Sequence, residues 1–288
     1  MTAEILGVLS SYLNPLGFEV HPFLVSWYNE LVDAPFRLPY SDDTLAVVIV
    51  SGPSSFERAF LPFCRRQRRV LLPGGLPKRD LFDTFMRAVF TDINELFPAE
   101  LQPDLIHDFD ADPLTRRPRV VLQTAAHVSG AAYHYDFRRE LRAHREDIDS
   151  LLRGRRLLGV CLHPRFGGWF GLRGVAVFPV IDDPDLPRPL HRDLLATDKD
   201  KLWLCEEFNL RSADNRYRDA IKPVERYSEK QELFWKTLPA NRSALVEQWL
   251  IAEEEHQEIG DVSNFAPDLP LANKALCGEA EMPASPRI

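Results

Sequence analysis

The residues best suited to chemistry fall in two stretches. The first, Gln123-Thr-Ala-Ala-His127-Val-Ser-Gly130-Ala-Ala-Tyr133-His134-Tyr135, runs small residues into polar aromatics. Ala125, Ala126, Ser129, Gly130, Ala131 and Ala132 admit close approach of something large, and a glycine there costs stability unless that closeness is used. The aromatics combine an apolar body with a polar tip, which suits a planar ligand. A tight helix–sheet contact, with His127 a hydrogen-bonded core histidine, is the plainer reading of the same string. The second stretch is Gly159-Val-Cys161-Leu-His163-Pro-Arg165-Phe166-Gly167-Gly168-Trp169-Phe170-Gly171-Leu172-Arg173-Gly174. Its glycines allow tight turns that offer backbone N–H groups, and Arg165 and Arg173 can hold carboxylates through paired hydrogen bonds. Cys161 and His163 supply the parts of a thiol–imidazole pair. On a strand, however, residues two apart share a face without touching, and nothing supplies an orienting third group.

Further arginines stand at Arg211, Arg216, Arg218, Arg226 and Arg242. Each alone reads as a solvated or ion-paired surface residue. Together they would form the anion-holding wall of a pocket whose other wall is the glycine loop. The densest basic run, Arg65-Arg66-Gln67-Arg68-Arg69, reads as a solvated helix end. No metal site is expected: neither His127 with His134 nor Cys161 with His163 has the close paired ligands of structural zinc. Cys64, Cys161, Cys205 and Cys277 are scattered with no CxxC pair, which fits a reducing compartment rather than a disulfide framework.

The elements that must position these residues follow from periodicity. Glu4–Leu13 has helical apolar spacing and stops before Asn14-Pro15. Phe18–Val32 reads as an extended piece and a short helix, and Leu45–Val50 as a buried β-branched strand. A helix from Ser54 or Ser55 to Phe63 and another over Asp80–Leu96 follow, the latter with a wide apolar face. Leu105–Phe109 and Arg119–Leu122 read as strands around the Asp112–Pro118 turn. Phe137–Arg156 reads as a charged, exposed helical insertion. Strands are expected at Leu157–Leu162 and Trp169–Phe178, then a proline-rich connection from Pro179 to Pro189. Helices follow near Asp198–Phe208, Ser228–Lys236 and Ala240–Glu255, the second opened by the capping box Ser228-Glu-Lys-Gln231. The prolines and small polar residues after Gly260 read as a disordered tail. The pattern is α/β of the α+β kind, with no regular βαβ alternation and no GxGxxG to mark a dinucleotide-binding domain.

At 288 residues, 45% hydrophobic and 27% charged, the chain has the composition of a soluble globular protein. Its formal net charge of -8 argues against nucleic-acid binding by bulk charge. The longest apolar run, Leu45–Val50, is far short of the roughly 20 residues that cross a bilayer. The N-terminus lacks a signal-peptide pattern, so a cytoplasmic protein without a membrane partner is expected.

The two stretches join other uncommon strings in one order: Gly17-Phe-Glu-Val-His-Pro-Phe23, Trp27-Tyr-Asn-Glu-Leu31, Tyr217-Arg-Asp-Ala220 and Glu225-Arg-Tyr-Ser-Glu229. With Gln123–Val128 and His163–Phe170, they resemble the cobalamin-processing chaperones of the methylmalonic aciduria and homocystinuria type C (CblC, MMACHC) family, over roughly residues 15 to 245. The resemblance implies a flavin-nitroreductase-like mixed sheet packed by helices, with a helical C-terminal cap. The expected division is one domain over residues 1–259 and a tail over 260–288. It also implies binding of cobalamin (vitamin B12) with its base detached from cobalt. Two activities are implied: alkyl transfer to the glutathione thiolate, and reductive decyanation with a reduced flavin (FMN or FAD) or a partner flavoprotein as electron source. Glutathione-binding arginines of the family fall at Arg173, Arg218 and Arg242. Cobalamin contacts fall at Asp108, Val120, Val121, Leu122, Gln123, His134, Tyr135, Asp136, Cys161 and Leu172. Implied partners are a downstream B12-trafficking adaptor and methionine synthase, with the chain a monomer or a ligand-induced homodimer.

This sequence departs from the family at Tyr133-His134-Tyr135, at Asp136 where an amide is usual, in a longer turn before Arg116, and in the charged stretch after Phe137. Dealkylation leaves an electron pair on cobalt, which then prefers four in-plane ligands, so a withheld lower ligand favours the product. His127 is therefore expected to pack or hydrogen-bond, not to ligate cobalt. Two rival readings are a nitroreductase-type flavin oxidoreductase and a non-catalytic B12 carrier.

Overall fold

A computed structural model of the chain describes residues 1–71, 76, 80–152 and 154–259. The elements are α1 (Thr2–Leu13), β1 (Phe18–Leu24), α2 (Val25–Asn29), β2 (Thr44–Ser51), α3 (Leu61–Leu71), α4 (Leu81–Glu95), β3 (Asp104–His107), α5 (Leu122–Val128), β4 (Tyr133–Tyr135), α6 (Phe137–Glu140), α7 (Arg145–Leu152), β5 (Val160–Leu162), β6 (Gly171–Asp182), α8 (Asp198–Leu210), α9 (Glu229–Lys236) and α10 (Pro239–Ile259). Four strands form an antiparallel sheet in the order β1-β2-β6-β3, and β4 pairs with β5 separately.

Every residue of β2 is buried, as its unbroken apolar run requires of a central strand covered on both sides. Its side chains alternate. Leu45, Val47 and Ile49 enter one core with α1, α3, α4 and α10, while Ala46, Val48 and Val50 enter a second core with α2 and α5. Pro22 is tolerated because β1 is an edge strand. The first core is aromatic. Phe60 lies 5.0 to 5.6 Å, centroid to centroid, from the rings of Phe56, Phe82, Phe85 and Phe234. Phe60→Ala is expected to cost about 3–5 kcal/mol of stability in urea unfolding; a loss below about 1 kcal/mol would show that this core does not bear on stability as its packing implies.

Several expectations are corrected. Arg119–Leu122 is not a strand: the Val121 N–H donates to the Tyr28 hydroxyl at 2.8 Å, and the chain turns directly into α5. Strand β5 begins at Val160 rather than Leu157, and β6 continues past Phe178 to Asp182. Pro179 fits because register shifts between Thr44 and Leu45, leaving residues 179–181 outside the ladder. The helix expected to end at Phe63 starts with a π turn at Phe56–Phe60 and runs on to Leu71. Its basic run is not simply solvated, since Arg65 pairs with Glu253 at 2.8 Å and Arg68 with Glu247 and Glu254, all on α10. The 137–156 stretch is helical as expected, in the short helices α6 and α7, but it is not simply exposed. Phe137, Leu141, Ile148 and Leu152 form a third core with Tyr135, Leu204 and Cys205, so its apolar side is fastened to α8. Ser228 caps α9 as expected, accepting from the Gln231 N–H at 3.1 Å. The tail after Gly260 lies outside the described residues.

Candidate functional site

Arg173 and Arg242 stand at the edge of the first core, and Arg218 stands on a separate group of rings that includes Tyr217 of the third core. Asp80 caps α4, accepting from the Phe82 and Asp83 N–H groups, and so fixes the Phe82 ring at the mouth of that core. Arg173, leaving β6 on this face, stands over Phe82 at 4.5 Å and over Trp235 at 5.5 Å. Its Nε donates to Ser51 Oγ at 2.7 Å, and Nη1 stands 3.8 Å from the Asp108 carboxylate. The guanidinium folds back so tightly that a Cβ at Gly171 would lie 2.1 Å from Nη2. Arg242 also stands over Trp235, 4.9 Å from its ring. Its Nε donates to the Phe234 and Thr237 carbonyls, and Nη1 lies 3.4 Å from Asp80. Arg218 stands over Trp169, Tyr217 and Tyr227 at 5.1 to 5.4 Å. It donates from Nε to Asn215 and from Nη1 to the Gly168 carbonyl.

Electrostatics ties the three together. Burial pushes Arg173 below its usual range, opposed by Tyr227, Asp108 and Asp83 and assisted by the like charge of Arg218. Asp83 is pushed up to about 6 by burial and by the neighbouring Asp80 and Asp108 carboxylates, against Arg87 and Arg242. In all three arginines Nε is anchored, and Arg218 and Arg242 also engage Nη1 with the Gly168 carbonyl and Asp80, so Nη2 is the donor group with no hydrogen bond among the described residues. By contrast Arg211 and Arg216 pair with Glu206 and Glu207, and Arg226 with Asp219. Glu207 is itself buried, and all three of these arginines already have a carboxylate partner.

The residues expected to touch cobalamin separate. Val120, Leu122 and Cys161 are buried in the second core, with Val121, Leu172 and Phe170 packed against it. Gln123 is exposed on α5, and its carbonyl lies 3.9 Å from Cys161 Sγ. His134 pairs across the ladder with Cys161, and its N–H donates to His127 Nδ1 at 3.3 Å. These segments therefore meet on the α5 side of the sheet. Beside Val120 opens a concavity of about 280 Å³ whose walls include Leu38, Tyr40, Ile106, Arg117 and Arg119. Three residues lie apart. Tyr135 is fully buried in the third core, its hydroxyl donating to Asp193 and accepting from the Leu194 and Leu195 N–H groups. Asp136 caps α6. Asp108 belongs with Arg173, whose carbonyl its own N–H meets at 3.1 Å.

The thiol–imidazole idea fails on geometry. Cys161 faces Gln123, and burial pushes its thiol well above the ordinary thiol range. His163 points instead at Glu19, 3.2 Å away. Iodoacetamide at pH 8 is expected to label Cys161 only after urea unfolding; labelling of the native protein at an ordinary thiol's rate would contradict this placement.

His127 behaves as a core residue, as expected. It stacks on His191 at 4.3 Å and meets Tyr133 edge-on. Burial first, then the His191 ring, pushes it down to about 4. An unfolded histidine titrates near ~6.5, so between these values the unfolded chain binds the proton, and stability falls as pH drops through that window. His127→Asn keeps the acceptor for the His134 N–H. It should therefore lose less stability between pH 7 and pH 5 than the parent protein; equal losses in urea unfolding would refute the assignment.

Sequence reasoning missed the aromatic shelf, Phe82, Phe234 and Trp235, on which Arg173 and Arg242 rest. Their spacing shows only a buried helix face, and nothing local reveals that α4 and α9 meet over β6. The arrangement defines an α/β protein whose antiparallel sheet carries arginines resting on aromatic rings on one side and, beside its second core, a concavity lined by both apolar residues and arginines. The sequence profile of the methylmalonic aciduria and homocystinuria type C family matches residues 17–246, and the chain belongs to that family. It is 40% identical over 274 residues to a human protein named cyanocobalamin reductase / alkylcobalamin dealkylase, covering 95% of this chain and 89% of the human one. A chicken protein of the same name is 41% identical, over 85% of this chain and 97% of its own. The crystal structure of a Caenorhabditis elegans B12-trafficking protein, CblC, superposes with a TM-score of 0.71 at 26% identity, covering 86% of this chain and 96% of that one.

Proposed function

We propose that this protein is a cobalamin-processing enzyme, acting as an alkylcobalamin dealkylase and a cyanocobalamin reductase. The observation that carries the reading is the gathering of Arg173, Arg218 and Arg242, each anchored through Nε, around aromatic rings at one end of the sheet. Glutathione brings two carboxylates, and guanidinium forks suit them. Bound there, its thiolate attacks the upper carbon of the alkylcobalamin. The new S–C bond uses the sulfur pair, both electrons of the Co–C bond stay on cobalt, and the products are a thioether and cob(I)alamin. Holding the reactants together supplies much of the rate.

The corrin rests against the α5 side, near Val120–Gln123, His134, Cys161 and Leu172, on a flavin-nitroreductase-like scaffold. Base-off binding is in keeping with a buried, low-pKa His127 already engaged by His134 and His191. For cyanocobalamin, one electron from a reduced flavin or a partner flavoprotein lowers cobalt by one oxidation state, and cyanide leaves with its bonding pair. No helix among the described residues is long and apolar enough to cross a membrane. The reading places the protein in the cytoplasm, handing its product to a B12-trafficking adaptor and onward to methionine synthase.

Anaerobic incubation with methylcobalamin and glutathione tests this. S-methylglutathione, formed in step with cob(I)alamin, is the expected product. Binding that leaves the methyl group intact would make the protein a carrier. Yellow protein that oxidises NAD(P)H without cobalamin would make it a flavin oxidoreductase.

A further inference from the structure

Among the described residues His163 is the most buried histidine, and the arginine wall gives it no direct use. It is 2% exposed and follows β5 at the start of the glycine turn. Its Nδ1 accepts from the backbone N–H groups of Arg165 at 3.1 Å and Phe166 at 3.3 Å. With that lone pair occupied, the ring proton sits on Nε2 and is donated to Glu19 Oε2 at 3.2 Å. Glu19 also accepts from His21 and faces Arg165. Burial pushes the Glu19 carboxyl up, but the hydrogen bonds from His163 and His21 outweigh it and hold the group well below the usual carboxylate range.

Donor atoms of Glu19, His21 and His163 lie within 4.8 Å of one another, a spacing open to a cation. The hydrogen bonds argue otherwise. Binding a metal at His163 Nε2 would require stripping the proton that Nδ1 cannot take up, leaving an imidazolate. The cluster is a proton-bearing anchor.

What it anchors is the turn beneath Arg218. His163 and Gly167 exchange backbone hydrogen bonds at 2.8 and 2.9 Å, closing the loop, and Gly167 adopts φ 58°. On the outer side the Gly168 N–H donates to the Arg218 carbonyl at 2.8 Å, while the Arg218 guanidinium donates to the Gly168 carbonyl. The Val224 N–H donates to the Arg165 carbonyl at 2.8 Å, and Trp169 Nε1 donates to Asp219 at 2.8 Å. Arg218 is therefore held at backbone and side chain by a turn whose interior is His163.

We propose that His163 is a positioning residue for Arg218, its Nδ1 setting glutathione affinity through the 163–168 turn without touching either substrate. The inference rests on the reading that Arg218 holds glutathione. Two variants separate the two ends of the imidazole. In His163→Asn, Oδ1 reaches the Nδ1 position and still accepts from Arg165 and Phe166. In His163→Gln, the amide reaches toward Glu19 but leaves those N–H groups without an acceptor.

In anaerobic methylcobalamin dealkylation, His163→Gln and His163→Ala are expected to raise the glutathione KM about tenfold, and Arg218→Ala at least as much. His163→Asn should stay within about twofold of the parent, and cobalamin affinity should change less than about twofold throughout. Equal KM in the Asn and Gln variants, or a parallel loss of cobalamin affinity, would overturn the proposal even if the alanine variant fails to fold. A normal KM in Arg218→Ala would instead overturn the glutathione reading, and this inference with it.

Discussion

Exchanging Arg173 for glutamine should raise the glutathione KM about tenfold to a hundredfold, while cobalamin affinity moves far less. A charge-assisted hydrogen bond to a carboxylate contributes about 1.5–3 kcal/mol, and this guanidinium is desolvated, so water cannot replace it. The amide is shorter and neutral. It would also leave Asp108, itself pushed up first by burial and held back by Arg173, without its counter-charge. Arg173→Lys separates fork from charge. Lysine keeps the positive charge without the planar pair of donors, so its KM should stay well above the parent value. Steady-state kinetics beside a cobalamin titration checks the assignment; comparable losses in both would show that Arg173 supports the fold rather than the tripeptide.

Gly167→Ala should have the second large effect. The position has φ 58°, where a non-glycine residue costs about 1–2 kcal/mol, and a Cβ there would lie 2.3 Å from the Arg218 carbonyl oxygen. That contact cannot be relieved by a side-chain rotation, because the opposing atom is backbone. The Gly168–Arg218 hydrogen bond must lengthen and carry Arg218 with it, so glutathione-dependent turnover should fall by about tenfold or more. Gly154→Ala is the control. It too has positive φ, 81°, yet nothing lies within 4 Å of its Cβ position, so it should cost some stability and leave turnover unchanged. If both alanine variants lose the same activity, backbone strain rather than displacement of Arg218 is the cause.

The legible parts of the chain were those whose signals are local. The buried run of β2 and the Ser228 cap are written in consecutive residues, and both stand where the spacing places them. Arg119–Leu122 misled because β-branched residues there carry strand propensity, whereas a distant hydroxyl, that of Tyr28, takes the Val121 N–H. The 137–156 stretch looked solvated because its charges outnumber its apolar residues. Only the approach of α8 shows that Phe137, Leu141 and Ile148 are buried. At the site, the arginines stood out by type and by family strings, but their shelf did not, since contacts between α4, α9 and β6 span most of the chain. The Glu19–His163 pair was hidden for the same reason: its members are 144 residues apart in sequence and 3.2 Å apart in space.

In the proposed enzyme cobalamin is held without a lower nitrogen ligand while glutathione is presented from the arginine side. The most direct test of this is the absorption spectrum of methylcobalamin titrated with the protein at neutral pH, before any thiol is added. Conversion to the spectrum of the base-off form at saturation is expected, and His127→Asn should retain it. A bound spectrum with the base still coordinated, or one that shows nitrogen ligation in the parent and loses it in His127→Asn, would contradict it.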